Sequence, residues 1–304
     1  MAAMKILIAG GLGFVGTALT RYFLESGHQV VATGTRSRQN QIFHDRFLYV
    51  PADTTRPGAW QEALRGMDAV VNLAGRSIFQ KWDAAYKQSI YDSRILTTRN
   101  LVEALAANSG KPTLISTSAV GFYGDRGDEL LTESDPPGEG FLARVCRDWE
   151  AEALHAEKNG ARVVTTRFGV VLADDGGALA KMIQTFRFYV GGPVGSGRQW
   201  FSWIHRHDLI RAMAFVLEHS DIRGPVNFCS PEPTRNGNFA KILGRALGKP
   251  AFLKTPGLML RLVLGEFGST LLQSQRVIPQ ALMNAGFEFQ FPNASAAISN
   301  LVRA

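Results

Sequence analysis

Three glycines close to the N-terminus have the spacing of a phosphate-binding turn. Gly10, Gly13 and Gly16 come directly after an apolar run and before an amphipathic stretch. The first glycine permits a tight turn, the second lets the backbone approach a pyrophosphate, and the third lets the following helix pack against the strand. Free backbone N–H groups and the helix dipole attract an anion at this point. The segment predicts a dinucleotide site that Phe14 and Val15 also contact.

The end of the second apolar run indicates which dinucleotide is bound. Val30–Thr33 continues into the segment Gly34–Arg38, which contains no carboxylate. In NAD sites a carboxylate at this position hydrogen-bonds the ribose hydroxyls, whereas guanidinium groups pair with the oxygens of a 2′-phosphate. We therefore expect NADP(H), with Arg36 as the main phosphate ligand and Arg38 as a second one. Two solvated loop arginines are the alternative.

Two further turns are expected to line the same ligand. Asp53 follows the third apolar run, where a carboxylate can accept a hydrogen bond from the adenine amino group. Leu73, Ala74 and Gly75 end the fourth run, and the small residues of that turn leave room for the cofactor to lie across the sheet edge.

The elements that must position these residues form an alternating pattern. Short β-branched runs alternate with amphipathic stretches, which is typical of a parallel sheet covered by helices on both faces. This pattern predicts an α/β protein with a doubly wound parallel sheet. The expected strands are Lys5–Ala9, Gln29–Thr33, Phe47–Pro51, Ala69–Leu73, Thr113–Thr117, Arg162–Arg167 and Val226–Cys229. The expected helices are Phe14–Ser26, Pro57–Leu64, Ala84–Asn108, Phe141–Asn159, Asp208–His219 and Asn238–Leu247.

The chain is expected to have one sheet domain and a short tail. Residues 1–225 form the nucleotide-binding domain, and residues 226–304 contain the last strand and a C-terminal region. Its apolar part, about residues 250–299, is expected to form a small cap over the substrate. A partner-binding helix is the alternative interpretation.

Composition excludes several classes of protein. The 304 residues include 33 basic and 26 acidic side chains, a net charge of +7, yet no four Lys or Arg are consecutive, so we expect no nucleic-acid partner. No stretch approaches the ~20 apolar residues of a membrane span, so we expect neither a membrane partner nor a secretory leader. We expect a cytoplasmic location. Two cysteines make neither a disulfide framework nor a metal site. A small-molecule substrate remains.

Several further segments carry a family resemblance. They are Ser93–Arg94, Ser116–Gly124, Phe141–Glu150, Arg167–Leu172, Ser202–Asp208 and the tail from about Pro250. With the glycine turn, they resemble the extended short-chain dehydrogenase/reductases, and more closely an atypical branch similar to nucleoside-diphosphate-sugar epimerases. The resemblance implies a Rossmann fold, a nicotinamide cofactor contacted by Arg167, and pairing through the third and fourth expected helices, so a monomer or a homodimer is expected.

One departure from that family concerns catalysis. Family members use a tyrosine and a lysine four residues later to move the proton. Here the residues four positions after the six tyrosines are Ser26, Asp53, Ile90, Ile95, Gly127 and Pro193, so the relay is missing. The branch pattern places Leu142 at the tyrosine position, Cys146 at the lysine position, and Arg94 where asparagine is usual.

Four residues are candidates for the remaining chemistry. Ser118, or its neighbour Thr117, could hydrogen-bond a substrate oxygen, and Arg94 offers a fixed positive charge. Tyr123 could act as an acid or pack beside the nicotinamide. Cys146 could be a reactive thiol, or a buried residue that packs or contacts the ribose.

These residues lead to two functional hypotheses. The first is an NADP(H)-dependent oxidoreductase or epimerase-like enzyme that acts on a small molecule. The second is an NADP(H)-binding regulatory or scaffold protein without turnover. His205 and Asp208 are read in two ways as well: either residue could contact a substrate, or His205 could be a structural histidine and Asp208 a helix cap.

Overall fold

A parallel sheet forms the centre of the protein. The structure is a computed structural model that describes residues 3–107 and 110–303. The strands within these residues are β1 (Lys5–Ala9), β2 (Gln29–Gly34), β3 (Phe47–Pro51), β4 (Ala69–Asn72), β5 (Thr113–Ala119), β6 (Leu130–Leu131), β7 (Arg162–Phe168), β8 (Val170–Leu172), β9 (Trp200–Phe201), β10 (Trp203–His205), β11 (Gly224–Phe228), β12 (Thr234–Arg235) and β13 (Arg276–Val277).

Helices cover both faces of this sheet. The α-helices are α1 (Gly16–Glu25), α2 (Ala84–Ala106), α3 (Phe141–Leu154), α4 (Gly177–Arg187), α5 (Arg206–Glu218), α6 (Asn236–Ala246), α7 (Gly257–Leu264), α8 (Glu266–Thr270), α9 (Gln280–Asn284) and α10 (Ala294–Arg303). Short 3-10 helices span Ala59–Leu64, Val120–Tyr123 and His155–Asn159.

Strand β1 shows why the sheet needs a layer of helices on each of its two faces. Ile6 and Ile8 pack with α1 and α5 on one face, and Leu7 and Ala9 pack with α2 and α3 on the other. All four side chains are fully buried. Alternate residues of a strand point to opposite faces, so an unbroken apolar run fits only a strand with a helical layer on each side.

The strand order creates one crevice. The sheet runs β11-β7-β5-β4-β1-β2-β3, and every neighbouring pair is parallel. From β1 the chain winds outward through β2 and β3, and then returns to β4 on the other side of β1. In doubly wound sheets ligands bind outside the carboxyl ends of the strands at this reversal.

The expected α/β, doubly wound Rossmann fold is confirmed. Most differences are at element ends: β5 continues to Ala119, β7 continues to Phe168, and α3 passes into a 3-10 helix after Leu154. The expected helix Pro57–Leu64 is a 3-10 helix over Ala59–Leu64, and α4 is not among the expected helices. Asn108, the expected end of the third helix, lies outside the described residues.

The C-terminal region is attached to the sheet domain at several points. Strand β13 pairs with β6, and α10 packs on α6. Phe267 of α8 packs against Trp82, just before α2. The backbone N–H groups of Gln290 and Phe291 donate to the buried carboxylate of Asp208 at 2.9 and 2.8 Å. Residues after β11 therefore share a core with the sheet domain.

Candidate functional site

A cavity of about 840 Å³ lies at the point where the strand order reverses. Its walls are the carboxyl ends of β1 to β4, the turns after them, and one side of α2. The lining residues are Gly10, Leu12, Gly13, Thr33, Gly34, Thr35, Arg36, Tyr49, Ala52, Asp53, Thr54, Thr55, Arg56, Leu73, Ala74, Gly75, Arg76, Ser89, Asp92, Ser93 and Thr97.

The glycine turn after β1 forms one wall with bare backbone. Gly10 has a φ of +77°, and a Cβ there would lie 3.1 Å from the backbone nitrogen of Ala74. A Cβ on Gly16 would lie 2.2 Å from the Gly10 carbonyl oxygen, so Gly16 allows α1 to pack against the turn. Gly13 is exposed, and a Cβ there would approach only that same carbonyl, at 3.2 Å. Gly13 therefore leaves its backbone open to a ligand.

The cavity also contains a polar atom that lacks a partner. The hydroxyl of Thr33 is buried at the end of β2, and within the described part of the chain no group hydrogen-bonds it. Buried hydroxyls without a partner are uncommon and costly. Together with the Gly10–Gly13 cradle, this orphan hydroxyl fits a ligand that carries phosphate or ribose oxygens, as a dinucleotide does.

Three arginines line the cavity. They are Arg36, Arg56 and Arg76. Among the described residues no carboxylate lies within ion-pair distance of Arg36, whereas Arg56 lies 3.8 Å from Asp53. The Tyr49 hydroxyl contacts the carbonyl oxygens of Gly34 and Arg36, at 2.9 and 2.7 Å, and so holds the turn that presents Arg36. The turn after β2 therefore suits an additional phosphate.

Two of these arginines were not expected from the sequence. Arg56 and Arg76 each follow a strand by a few residues, and the signal that could have found them is their position after the carboxyl ends of β3 and β4. Of the two arginines named from the sequence, the structure places Arg36 in the lining, while Arg38 is exposed and is not among the lining residues.

The other expected cofactor residues divide into two groups. Asp53 and the Leu73–Gly75 turn line the cavity, and Asp53 accepts hydrogen bonds from the backbone and hydroxyl of Thr55 at 3.1 and 2.6 Å. Phe14 and Val15 are not among the lining residues. Phe14 contacts the Gly176–Gly177 turn, and Val15 packs against the apolar core beneath α1.

Arg94 is a partly buried cation beside the cavity. Its Nη1 donates to the carbonyl oxygens of Ile90 and Arg76 at 3.0 and 3.1 Å, and its guanidinium lies 5.2 Å from the centre of the Trp149 ring. A Cβ on Gly75 would lie 3.3 Å from its Cζ. In the described ranges no carboxylate pairs with it, and burial lowers the pKa of Arg94. An anionic or electron-rich group near Gly75 would stabilise this charge.

A buried network holds three of the expected site residues. Ser118 Oγ donates to Glu150 Oε1 at 2.6 Å, and Arg167 binds both oxygens of Glu150 at 2.9 and 2.8 Å. Arg167 also donates to the Tyr123 hydroxyl at 2.9 Å, and that hydroxyl contacts Asn227 Oδ1 at 2.7 Å. Arg167 is therefore engaged by an internal carboxylate and is not among the residues that line the cavity.

This network changes what the candidate acids can do. Burial raises the pKa of Tyr123, and its hydroxyl is shared between Asn227 and Thr132. Burial likewise raises the pKa of Cys146 to about 11, with Glu150 adding to the shift. A neutral thiol and a fully hydrogen-bonded phenol favour packing roles for both residues. Glu150 is buried beside Arg167, with which it forms an ion pair at 2.8 Å.

His205 and Asp208 join elements to one another. His205 Nδ1 accepts from the His207 backbone at 3.1 Å, and its Nε2 lies 3.2 Å from Asn300 Oδ1, so Nε2 carries the proton. Its ring stacks on Phe291 at 3.9 Å, and burial lowers the pKa of His205. His205 therefore fits the structural interpretation, and it is itself the N-terminal cap of α5. Asp208, expected as that cap, lies in the first turn of α5 instead and accepts hydrogen bonds from the backbone N–H groups of Gln290 and Phe291.

Within residues 3–107 and 110–303, no cluster of three His, Cys, Asp or Glu side chains could hold a metal ion. No helix in the same residues has both the length and the apolar character to cross a membrane.

Two sequence families account for most of the chain. Residues 6–228 match the NAD dependent epimerase/dehydratase family. The chain belongs to that family. Residues 255–301 of this epimerase family member match a domain of unknown function, DUF1731. The resemblance to extended short-chain dehydrogenase/reductases is thereby confirmed.

Relatives align along nearly the whole chain. The chain is 40% identical over 301 residues to an epimerase family protein of Mycobacterium bovis, covering 98% of this chain and 97% of the relative. It is 37% identical over 306 residues to the chloroplastic epimerase family protein SDR39U1 homolog of Arabidopsis thaliana, covering 99% and 87%.

Solved structures give the same result. Human epimerase family protein SDR39U1, described with NADPH, has a TM-score of 0.87 and 31% identity, with 99% of each chain covered. A nucleoside-diphosphate sugar epimerase from Corynebacterium glutamicum has a TM-score of 0.81 and 34% identity. That match covers 99% of this chain and 58% of the bacterial one.

Proposed function

We propose that this epimerase family member is an NADP(H)-dependent enzyme that performs a redox step on a small molecule. The single observation that carries the cofactor choice is the Arg36 guanidinium, which lines the cavity at the end of β2 without a carboxylate partner in the described residues. A 2′-phosphate offers such a guanidinium the paired oxygens that it binds best. The human relative described with NADPH supports the same choice.

Different residues of the cavity wall would hold different parts of the cofactor. The Gly10–Gly13 turn and the N-terminus of α1 would hold the pyrophosphate, and Arg36 and Arg56 would hold the 2′-phosphate end. Asp53 lies in the same wall, where it would meet the adenine. When bound, the nicotinamide would supply or accept a hydride.

The chemistry at the substrate would rest on Arg94. It has no internal carboxylate among the described residues, so its charge is available to stabilise a developing oxyanion beside Gly75. Ser118 is buried and its proton is engaged by Glu150, so it would act by holding that carboxylate and not by touching the substrate. A fixed cation would then take over the stabilisation that the missing tyrosine and lysine provide in other family members.

Binding titrations test the cofactor assignment. We expect NADPH to bind at least about tenfold tighter than NADH, a difference of about 1.4 kcal/mol. Arg36→Ala should remove most of that preference by weakening NADPH alone. Arg38→Ala is the matched control, because Arg38 is exposed and is not among the lining residues. Equal affinities for both cofactors in the unmodified protein would refute the assignment.

A second function is favoured by the buried network. The Tyr123 hydroxyl is hydrogen-bonded inside the protein, and the raised pKa of Cys146 keeps its thiol neutral. A regulatory or scaffold protein that binds NADP(H) without turnover is therefore the competing proposal. The two are separated by incubating the protein with NADPH and a panel of carbonyl compounds and nucleotide sugars. Sustained oxidation that Arg94→Ala abolishes supports the enzyme. Tight binding without turnover across the panel supports the regulator.

A further inference from the structure

Helix α7 exposes four of its six apolar side chains. None of its residues is buried, and Leu258, Met259, Leu262 and Val263 are 70%, 56%, 72% and 59% exposed. These four positions follow the spacing i, i+1, i+4 and i+5, which places them on one side of the helix. Packing against the core does not explain why an eight-residue helix carries these apolar side chains on an exposed surface.

Two neighbouring segments also carry exposed apolar side chains. Phe188 and Tyr189, which follow α4, are 71% and 60% exposed, and Phe252, which precedes α7, is 75% exposed. The two segments contact each other. Tyr189 receives a hydrogen bond from Lys249 at 2.6 Å, and the backbone of Thr255 pairs with that of Pro193 and Gly195. We call the surface formed by Phe188, Tyr189, Phe252, Leu258, Met259, Leu262 and Val263 the apolar patch.

The segments that carry the apolar patch hold only positive charge. Residues 176–207 contain four basic residues and residues 233–265 contain six, and neither range contains an Asp or Glu. The rest of the chain has 23 basic and 26 acidic residues. The net charge of +7 therefore comes from these two ranges. The basic residues beside the patch include Arg187, Lys249, Lys254 and Arg261.

Apolar side chains surrounded by positive charge fit one kind of surface. Single exposed apolar residues are ordinary, whereas a continuous patch marks a docking or membrane site. A short helix with an exposed apolar side and Lys and Arg beside it can lie in the interface of a bilayer that contains anionic lipid. We propose that the apolar patch docks this protein onto the surface of an anionic lipid bilayer.

A second copy of the chain is a poorer occupant. A two-fold interface would place the patch against itself, and the positive residues around it would then face one another.

The expectation of no membrane partner rested on the absence of a spanning segment. Lying on a membrane surface requires no span, so the absence of a spanning segment does not exclude this mode of binding.

Vesicle co-sedimentation tests the proposal. The full chain is mixed with vesicles of phosphatidylcholine alone, or of equal parts phosphatidylcholine and phosphatidylglycerol. We expect sedimentation with the mixed vesicles only, decreasing as salt is raised because screening weakens the attraction. The double variant Leu258→Ser/Leu262→Ser and the double variant Lys254→Glu/Arg261→Glu should each lower the bound fraction about fivefold or more.

Matched controls separate this surface from general effects. Leu48→Ser removes an apolar side chain that is 56% exposed on β3, and Lys158→Glu reverses a charge on an exposed residue outside the patch segments. Both should bind vesicles like the unmodified chain. All variants should keep their NADPH affinity and melting temperature, because the substituted side chains are exposed and do not line the cavity.

Three results would overturn the proposal. The first is no sedimentation with the mixed vesicles, and the second is equal sedimentation with both kinds of vesicle. The third is a dimer of the unmodified chain that Leu258→Ser/Leu262→Ser converts to a monomer in light scattering, with no vesicle binding, since a second copy would then cover the patch. None of these outcomes depends on whether the protein turns over a substrate.

Discussion

Gly13 and Gly16 belong to the same turn, but the structure gives them separable roles. A Cβ on Gly16 would lie 2.2 Å from the Gly10 carbonyl oxygen and 2.8 Å from the backbone of Gly11. Both contacts involve backbone, so the start of α1 must move away from β1. A Cβ on Gly13 would meet only the Gly10 carbonyl, at 3.2 Å, which a shift of a few tenths of an ångström relieves.

The two alanine variants should therefore differ in stability. Overpacking of this kind costs about 1–3 kcal/mol and sometimes more, and we place Gly16→Ala at the upper end because no flexible side chain can yield. At roughly 2–4 °C per kcal/mol for a large domain, its melting temperature should fall by about 6–12 °C. Gly13→Ala should cost less than about 1 kcal/mol, so its melting temperature should stay within about 4 °C.

Cofactor binding should show a different order. The methyl group of Gly13→Ala would occupy the position where the pyrophosphate approaches the backbone, so at least one charge-assisted hydrogen bond worth about 1.5–3 kcal/mol is lost. NADPH affinity should fall roughly 10- to 100-fold. Fluorescence titration and thermal unfolding without cofactor measure the two effects separately. Unchanged affinity in a folded Gly13→Ala protein would refute the proposed approach of the pyrophosphate to this turn.

Three further predictions concern buried groups. Cys146, with a pKa of about 11, should resist iodoacetamide at pH 8 in the folded protein, as read by mass spectrometry, and rapid labelling would contradict its neutral state. His205 and His28 have pKa values lowered by burial, so the unfolded chain binds more protons below about pH 6.5 and the free energy of unfolding should decrease as pH falls from 7 to 5. His205→Gln should flatten that slope in urea titrations. Glu150→Ala should lower the free energy of unfolding by about 3–5 kcal/mol, because Arg167 keeps a buried charge without its partner. Adding Arg167→Met should recover part of this loss in urea titrations, and a double variant no more stable than Glu150→Ala would contradict that explanation.

The sequence predicted those features that depend on local pattern. Apolar runs such as the one in β1 identify strands that are buried on both faces, and parallel strands bring their carboxyl ends to one edge. These two features predict Gly10, Asp53 and Arg36 at the same edge, and all three line the cavity. The sequence does not show that Glu150 is buried, because a carboxylate on a helix looks the same in sequence whether it faces water or a buried arginine. The partner of Glu150 is 17 residues away, on β7.

The positive charge of the chain separates into two regions that suit different ligands. In the cavity, the lining arginines stand among the carboxylates of Asp53 and Asp92, so the site offers discrete positions for phosphate groups. Beside the apolar patch, Arg187, Lys249, Lys254 and Arg261 form no ion pair with the carboxylates of the described residues, so their positive charge is open to a surface ligand. A compact anion needs directed guanidinium contacts, whereas a lipid surface needs only a broad positive field beside apolar side chains. Raising the salt concentration should therefore weaken vesicle binding more steeply than NADPH binding, because directed and partly buried contacts are screened less than exposed charge.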